Sequence, residues 1–246
     1  MNLYGLIGYP LGHSFSKQYF TEKFLKEGLR NCTFENFAIP SITEFSEILQ
    51  QNTTLKGMAV TIPYKQEVLN FVTESSDEVT FIGAANCIKI IGNKLIAYNT
   101  DIIGFEKSFV PLLKPNHKKA LILGTGGASK AVQYVLNKLD ITYLLVSRAE
   151  NPREGYCSYT MLNEQLMHEY QIIINCSPIG TSPHENNCPD IPYELINSGH
   201  YLYDLVYKPA KTLFLQKGED QLAQIKNGYE MLIIQAEANW AIWNED

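Results

Sequence analysis

The sequence has few cysteines, and their spacing fits neither a disulfide framework nor a zinc site. Five are spread over 246 residues, an odd number, and none belongs to a C-x-x-C pair. Disulfide-dependent secreted domains carry even sets of cysteines at short spacings, and structural zinc sites carry paired ones. We therefore expect a reduced, metal-free protein.

Long hydrophobic runs and an excess of basic residues are also missing. No apolar run approaches the roughly 20 residues that span a bilayer, and the first residues lack the basic start and apolar core of a signal peptide. The 20 Lys and Arg against 26 Asp and Glu give a net charge of −6, whereas nucleic-acid binding needs a basic face. We expect a cytoplasmic protein with neither a membrane nor a nucleic-acid partner.

What is present is an ordinary globular composition, 45% hydrophobic and 19% charged. The length allows one large domain or two small ones. Short apolar strands alternate with amphipathic helices along the chain, and this order predicts an α/β fold.

The stretch from Lys119 to Leu136 predicts a strand, a glycine turn and a helix. Residues 120–123 are continuously apolar, as in a parallel strand covered on both faces. Gly124 allows a sharp turn, while Gly126 and Gly127 let the backbone approach a ligand without a Cβ in the way. The amides of residues 126–129 then open a helix N-terminus, which favours a phosphate. The turn predicts dinucleotide binding, although tight packing alone also produces such turns.

Two features qualify this dinucleotide-binding turn. The third small position of G-x-G-x-x-G is Ser129, where glycine or alanine is usual. The next predicted strand, 141–146, ends in Ser147-Arg148, with Glu150 and Arg153 beyond. Enzymes that bind NAD carry an acidic residue there, and an arginine accommodates a 2′-phosphate. The sequence therefore favours NADP, with a ligand-free surface arginine as the alternative.

Polar side chains also follow strands predicted in the first hundred residues. The segment 8–16 follows the first strand and contains Ser14 and Ser16. One serine can cap the next helix, which leaves the other for a carboxylate or hydroxyl ligand. Pro63 ends a strand and can begin a helix, which places Thr61 and Lys65 at the carboxyl edge of the sheet. A lone lysine is more often a solvated charge.

Amide and carboxylate side chains occur in three further segments. Asn86 lies among small residues, so its amide is expected to contact something specific. Asn99, Thr100 and Asp101 form a run that exceeds what one helix cap needs. Gln235 lies among apolar residues of a long C-terminal helix, where it either packs with its amide satisfied or reaches a ligand.

Together these stretches resemble the shikimate dehydrogenases over nearly the whole chain. The matching segments are Gly8-Tyr-Pro-Leu-Gly-His-Ser-Phe-Ser16, Gly57-Met-Ala-Val-Thr-Ile-Pro-Tyr-Lys65, Gly83-Ala-Ala-Asn86, Asn99-Thr-Asp-Ile-Ile-Gly104, Gly124-Thr-Gly-Gly-Ala128, Asn175-Cys-Ser177, Asp204-Leu-Val-Tyr207 and Asn227-Gly-Tyr-Glu-Met-Leu232 through Gln235. Each is short, but all occur in the family's order and spacing. The resemblance implies reversible NADP-linked reduction of 3-dehydroshikimate to shikimate, a step of chorismate and aromatic amino acid biosynthesis.

The resemblance also implies roles for individual residues. Lys65 and Asp101 would be catalytic, with Lys65 exchanging the proton and Asp101 orienting the hydroxyl. The substrate carboxylate would face Ser14, Ser16 and Tyr207, and its hydroxyls would face Thr61, Asn86, Asp101 and Gln235. The cofactor would contact Gly124, Thr125, Gly126, Gly127 and Ala128 at the pyrophosphate, Ser147 and Arg148 at the adenosine, and Leu205 and Gly228 near the nicotinamide.

The chain departs from the family pattern around the adenosine site. Position 147 is Ser where the family commonly has Asn, and Ala149 replaces a common Thr. These changes predict a poorer 2′-phosphate site, so NAD is also possible.

The expected architecture is an N-terminal α/β substrate domain plus a Rossmann-like doubly wound nucleotide-binding domain, with a cleft between them. The substrate and catalytic domain is predicted at 1–101 and the nucleotide domain at 102–227. The C-terminal helix, 228–246, is expected to pack back on the first domain. The protein would be a monomer or a homodimer.

Three other functions are compatible with parts of the pattern. A quinate/shikimate dehydrogenase that uses NAD differs by one substrate hydroxyl. A methylenetetrahydrofolate dehydrogenase shares the two-domain plan but not this set of motifs. A non-catalytic shikimate or nucleotide sensor of the same fold has no need of the pair Lys65 and Asp101.

Overall fold

The protein divides into two compact units. The computed structural model describes residues 1–12, 15–149 and 153–245. Unit 1 comprises the described residues of Met1–Thr100 and of Gln235–Asp246, and unit 2 comprises those of Asp101–Ile234. Each unit has its own six-stranded sheet.

Unit 1 contains a mixed sheet and four helices, the last of which begins in unit 2. In chain order its elements are β1 (Asn2–Gly8), α1 (Phe15–Lys26), β2 (Cys32–Ala38), α2 (Phe45–Gln51), β3 (Leu55–Val60), β4 (Glu74–Ser75), α3 (Asp77–Ile82), β5 (Cys87–Ile91) and β6 (Lys94–Tyr98). Short 3₁₀ turns at Ile42–Glu44 and Glu67–Asn70 precede α2 and β4.

In the sheet of unit 1, the ends of several strands lie along one edge. Its strand order is β2-β1-β3-β5-β6-β4, with β1 parallel to β2 and β3 and with β5 antiparallel to β3 and β6. Ile7 pairs with Val60, Ala59 pairs with Cys87, and Cys87 pairs with Tyr98. The ends of β1, β3 and β6 and the start of β5 therefore lie at the same edge.

Unit 2 contains the remaining elements. In chain order they are α4 (Asp101–Phe109), β7 (Lys119–Leu123), α5 (Gly127–Lys138), β8 (Thr142–Ser147), β9 (Tyr156–Ser158), α6 (Glu164–Glu169), β10 (Ile172–Asn175), β11 (Tyr201–Asp204), α7 (Leu213–Asp220), β12 (Gln224–Asn227) and the first residues of α8 (Tyr229–Asn244). The later residues of α8 belong to unit 1.

The sheet of unit 2 has the order β12-β11-β10-β7-β8-β9, and all of these neighbouring strands are parallel. Residues 120–123 and 172–174 are fully buried, as their continuous apolar runs predict. The chain starts in the middle at β7, extends to β9 on one side and then crosses to β10 on the other. This is the doubly wound order, in which ligands bind where the strand order reverses.

The second half of α8 packs on the sheet of unit 1. Trp243 is buried over Gly57, where any added Cβ would overlap its ring. The Trp243 Nε1–H donates to the carbonyl of Ile88 at 3.1 Å, and the ring stacks on Tyr4 at 5.3 Å between centroids. The aromatic contacts hold the C-terminal segment, residues 235–245, in unit 1.

Several local expectations differ from the structure. Pro63 does not begin a helix, because the chain forms a turn in which the Tyr64 N–H donates to the carbonyl of Thr61 at 3.0 Å. Three strands, β4, β9 and β12, are absent from the sequence-based prediction. These strands have two to four residues and lie at or near sheet edges, so they lack a long apolar run. Within the described ranges, no helix combines the length and apolar character needed to cross a membrane.

Candidate active site

The edge of unit 1 where β1 and β3 end carries Thr61 and Lys65. A Cβ on Gly8 would overlap the Thr61 methyl and lie 3.0 Å from the carbonyl oxygen of Ile62. The loops that leave β1 and β3 are thus packed tightly together. Lys65 is half-buried in the turn after β3, and its carbonyl accepts the N–H of Ala85 at 2.7 Å. This bond ties the turn that carries Lys65 to the segment before β5.

Asn86 lies at the start of β5 on the same edge and is 3% exposed. Its Oδ1 accepts the backbone N–H of Thr100 at 2.6 Å, and its Nδ2 donates to the Thr100 Oγ1 at 3.0 Å. The Asn86 Nδ2 also donates to the Gln235 Oε1 at 3.3 Å. The structure therefore brings together two residues that the sequence analysis singled out separately, 86 and 235.

Asn239 completes this hydrogen-bonded group. It lies one helical turn beyond Gln235 on α8 and is 1% exposed. Its Oδ1 accepts the Thr100 hydroxyl at 2.6 Å, and its Nδ2 lies 3.5 Å from the Gln235 Oε1. The Gln235 carbonyl oxygen thus faces two amide donors, from residues 86 and 239. Sequence reasoning missed Asn239, although an amide at i+4 from Gln235 on an apolar helix was a usable signal.

The other residues predicted to contact substrate are placed as follows. Ser14 lies outside the described residues. Ser16 is half-buried in the first turn of α1. Tyr207 is half-buried after β11 in unit 2, and burial raises the pKa of its hydroxyl. Asp101 begins α4 in unit 2 and is 7% exposed.

The three polar residues at the start of α4 have separate roles. The Thr100 hydroxyl bonds Asn239, and the Asn99 Nδ2 donates to the carbonyl of Ala84 at 2.9 Å. Asp101 is the first helical residue, where a carboxylate is favoured by the helix dipole.

The glycine turn of unit 2 follows β7 as predicted. Gly124 has φ of +102°, and an added Cβ would lie 3.3 Å from the Ser177 amide nitrogen. A side chain there would be strained and tightly confined. Around Gly126, by contrast, a Cβ would meet nothing within 4 Å. The turn is therefore tight on its inner side and open on its outer side, which suits a pyrophosphate at the N-terminus of α5.

Ser129 accounts for the irregular third position of the glycine motif. It is fully buried in the first turn of α5, and its hydroxyl donates to the carbonyl of Gly126 at 2.7 Å. The Gln133 Nε2 in turn donates to the same hydroxyl at 3.3 Å. A small residue is still required here, and serine fits because its hydroxyl bonds the turn.

A cavity of about 400 Å³ lies beside the turn, at the point where the strand order reverses. It is lined by Gly124, Thr125, Gly126, Val146, Ser147, Arg148, Tyr159, Cys176, Ser177, Pro178 and Ile179. The cavity joins the predicted pyrophosphate residues to the predicted adenosine residues. A cationic guanidinium, a hydroxyl and open glycine backbone form a donor set that fits a phosphorylated dinucleotide.

The two arginines considered for the 2′-phosphate differ in their contacts. The Arg153 guanidinium stacks over the ring of Tyr156 at 4.4 Å and donates to its hydroxyl at 2.6 Å. Arg148 is exposed and lines the cavity with Tyr159. Burial raises the pKa of Tyr159, and the charge of Arg148 opposes that rise. Arg148 is therefore the better placed cation, and Glu150 lies outside the described residues.

Leu205 and Gly228, predicted near the nicotinamide, are packed against each other. A Cβ on Gly228 would overlap the carbonyl oxygen of Leu205 and lie 2.7 Å from its carbonyl carbon. The Gly228 N–H also donates to the carbonyl of Val206 at 3.3 Å. The chain leaving β12 therefore passes directly over the chain leaving β11, and only glycine permits this approach.

A buried carboxylate lies at the end of β11. Asp204 is fully buried, and burial raises its pKa to about 6, although hydrogen bonds from Thr212, Val206 and Asn175 oppose the rise. The Asn175 Nδ2 donates to the Oδ1 at 2.9 Å, and the Thr212 hydroxyl donates to the Oδ2 at 2.6 Å. Sequence reasoning quoted Asn175 and Asp204 as motif members without assigning them a contact, and it did not single out Thr212.

Taken together, a doubly wound unit with a glycine turn and a cationic cavity, and a second unit with a lysine, hydroxyls and amides at one sheet edge, define a two-domain nicotinamide-nucleotide-dependent oxidoreductase. Comparison with known proteins agrees. A family model for the shikimate dehydrogenase substrate binding domain matches residues 6–88. The shikimate dehydrogenase (NADP(+)) of Caldicellulosiruptor saccharolyticus is 32% identical over 97% of this chain and 90% of that protein.

Solved structures give the same result. A chorismate mutase/shikimate 5-dehydrogenase fusion protein from Clostridium acetobutylicum has a TM-score of 0.89 at 32% identity, covering 99% of this chain and 91% of that one. A shikimate dehydrogenase in complex with NADP+ has a TM-score of 0.88 at 29% identity, covering 99% and 90%. The chain belongs to the shikimate dehydrogenase family.

Proposed function

We propose that this chain catalyses the reversible NADPH-dependent reduction of 3-dehydroshikimate to shikimate, a step in the synthesis of chorismate and the aromatic amino acids. The observation that carries the proposal is the cavity beside the glycine turn, which Ser147 and Arg148 line. Family membership adds the substrate, since the relatives are named as shikimate dehydrogenases using NADP+.

Unit 1 supplies most of the residues that bind the substrate, and unit 2 binds the nucleotide and contributes Asp101 and Tyr207 to the substrate. Thr61, Asn86 and Gln235 bind the substrate hydroxyls, and Ser14, Ser16 and Tyr207 bind its carboxylate. Support for the first group comes from the hydrogen bonds that fix the amides of residues 86 and 235 at one sheet edge.

Lys65 and Asp101 carry the proton chemistry of the proposed reaction. NADPH supplies the hydride when it is bound. The Lys65 ammonium stabilises the alkoxide that develops on the substrate and donates the proton, and it acts as the base in the reverse direction. Asp101 orients the reacting hydroxyl and the lysine. The bond between the Lys65 carbonyl and the Ala85 N–H supports this role, because it fixes the backbone from which the amine extends.

The nucleotide contacts follow the wall of the cavity. The backbone of residues 124–128 binds the pyrophosphate, and Ser147 and Arg148 bind the adenosine 2′-phosphate. Leu205 and Gly228 lie against the nicotinamide. Because Arg153 is stacked on Tyr156, Arg148 supplies most of the charge that favours NADP, and NAD is a poorer cofactor. The proposal includes a cytoplasmic location, since the free cysteines suit a reducing compartment.

A matrix of substrates and cofactors tests this function. The intact protein is given shikimate or quinate with NADP+ or NAD+, and absorbance at the nicotinamide band is followed. We expect the highest kcat/KM with shikimate and NADP+. Equal or better turnover of quinate with NAD+ would favour a quinate/shikimate dehydrogenase. Shikimate binding without turnover on either cofactor would favour a sensor and reject the proposal.

A further inference from the structure

The carboxyl edge of the unit 2 sheet carries a row of buried polar residues that no motif role explains. Asn175 pairs in register with Leu123 on one side and with Asp204 on the other. Asn175, Asp204 and the nearby Thr212 are all fully buried. A buried carboxylate costs free energy even when it is hydrogen-bonded, so its presence in the middle of the sheet calls for a reason.

We propose that Asp204 and Asn175 are positioning residues for the nucleotide. Acting through Ser177, they hold the loop Cys176–Ile179 against the glycine turn, and so fix the walls of the cavity. The inference rests on the proposed function, because it takes NADP as the occupant of that cavity.

Asp204 fixes the orientation of the Asn175 amide. Its Oδ1 accepts from the Asn175 Nδ2 at 2.9 Å and from the Val206 N–H at 3.0 Å, while its Oδ2 accepts from Thr212 at 2.6 Å. Because the Asp204 carboxylate offers only hydrogen-bond acceptors, the Asn175 side chain must turn its NH₂ group toward that carboxylate. The Asn175 Oδ1 is thereby directed to the opposite side, toward Ser177.

Asn175 in turn fixes Ser177. The Asn175 Oδ1 accepts both the backbone N–H of Ser177 at 3.0 Å and its hydroxyl at 2.6 Å. The Ser177 Oγ also accepts the Ile179 N–H at 3.4 Å, and the Asn175 Nδ2 lies 3.4 Å from the Ile179 carbonyl oxygen. The start of the loop is thus clamped by one amide side chain.

Ser177 is the point where the loop meets the glycine turn. The Ser177 amide nitrogen is only 3.3 Å from where a Cβ of Gly124 would be, and residues 176–179 line the same cavity as residues 124–126. A shift of the loop by a fraction of an ångström therefore changes the width of the cavity. The hydrogen-bonded path runs from Asp204 through Asn175 to Ser177, which lines the cavity.

The test measures NADP+ binding directly, by calorimetric titration of the intact protein. Asp204→Ala and Asn175→Ala break the path, while Asp204→Asn preserves it, because its carbonyl can accept from Asn175 and Val206 and its NH₂ can donate to the Thr212 hydroxyl. The matched control is Ser108→Ala. It removes a different buried hydrogen bond of unit 2, the 2.7 Å contact between the Ser108 and Tyr203 hydroxyls. It leaves the side chains of the loop Cys176–Ile179 unchanged.

We expect the alanine variants at 204 and 175 to raise the NADP+ dissociation constant about tenfold or more. Asp204→Asn and Ser108→Ala should stay within about threefold of wild type. If Asp204→Ala does not fold, Asn175→Ser takes its place, because it replaces the amide that links Asp204 to Ser177 by a shorter hydroxyl side chain.

Two results overturn the inference. In the first, the alanine variants lose thermal stability as Ser108→Ala does but bind NADP+ like wild type. In the second, Asp204→Asn is as weak as Asp204→Ala. Failure of the wild-type protein to bind NADP+ would instead overturn the proposed function, and with it this inference.

Discussion

Asp204→Asn isolates the cost of one buried carboxylate. The substitution keeps the size and shape of the side chain. Its carbonyl oxygen can still accept from Asn175 and Val206, while its NH₂ donates to the Thr212 oxygen, which no longer donates to residue 204. The pH-dependent change is the loss of the ability to ionise. The fold should therefore survive, and the pH dependence of its stability should alter.

The size and sign of the effect follow from the raised pKa. Burial raises the pKa of Asp204 from 3.8 to about 6, and about two units at 1.36 kcal/mol each give about 3 kcal/mol. Well below pH 3.8 both folded and unfolded states hold the proton, and there is no penalty. As the pH rises to about 6, the unfolded chain releases its proton first, so the free energy of unfolding falls by about 3 kcal/mol. The asparagine variant lacks this fall.

The assay is urea denaturation of both proteins at several pH values between about 3 and 7. Circular dichroism is the appropriate signal, because both tryptophans, 240 and 243, are in unit 1 and report on that unit. The stability of Asp204→Asn relative to wild type should rise by about 3 kcal/mol across this range. Asp220→Asn, an exposed position on α7, removes the same charge and should show no comparable trend. A flat difference for Asp204→Asn would refute the reasoning.

Three further substitutions test the proposed site. Lys65→Ala should lower kcat at least about 100-fold with KM within a few-fold, because it removes the proton donor; an unchanged kcat would exclude that role. Gly126→Ala should leave the protein as stable or up to about 1 kcal/mol more stable, since its Cβ meets nothing within 4 Å. The same substitution should weaken NADP+ binding. Thermal melts measure the stability and calorimetry the binding, and undiminished binding would contradict the pyrophosphate assignment. Asn239→Ala should raise the KM for shikimate but not for NADP+, because the Gln235 carbonyl loses a donor; equal changes in both would argue for a general loss of structure.

The fold of unit 2 was largely predictable because its central strands β7 and β10 are buried and contain continuous apolar runs. The glycine turn at 124–127 fixes the junction between β7 and α5 through backbone conformation alone, so it is visible in the sequence. The short strands β9 and β12 were not predictable. Tyr156–Ser158 and Gln224–Asn227 carry mixed polar residues, and they become strands only because a neighbouring strand offers hydrogen bonds.

The site was predictable in part. Asn86 and Gln235 stand out because each is a polar amide among small or apolar residues, whereas Lys65 was assigned a role only through the family resemblance. The connection of Asn86 to Gln235 was not predictable, because it joins residues 149 positions apart through tertiary contact. Asn239 was not predicted for the same reason, because it is held by a hydrogen bond from Thr100, which is distant in the sequence.

The division of the chain shows the same limit. The sequence predicts a C-terminal helix at 228–246, and α8 runs from Tyr229 to Asn244. Where the helix passes from one unit to the other depends on the packing of Trp243 over Gly57, which no local pattern encodes. Arg153 is a further case. The sequence made it a candidate for the 2′-phosphate, but its guanidinium stacks on Tyr156 instead.

The central claim is that this chain moves a hydride between shikimate and NADP. The most direct test uses shikimate carrying deuterium on carbon 3, incubated with the intact protein and NADP+, followed by mass analysis of the nucleotide. The account predicts that the reduced nicotinamide gains the deuterium and that 3-dehydroshikimate appears in equal amount. Unlabelled nucleotide with bound, unchanged shikimate would contradict it.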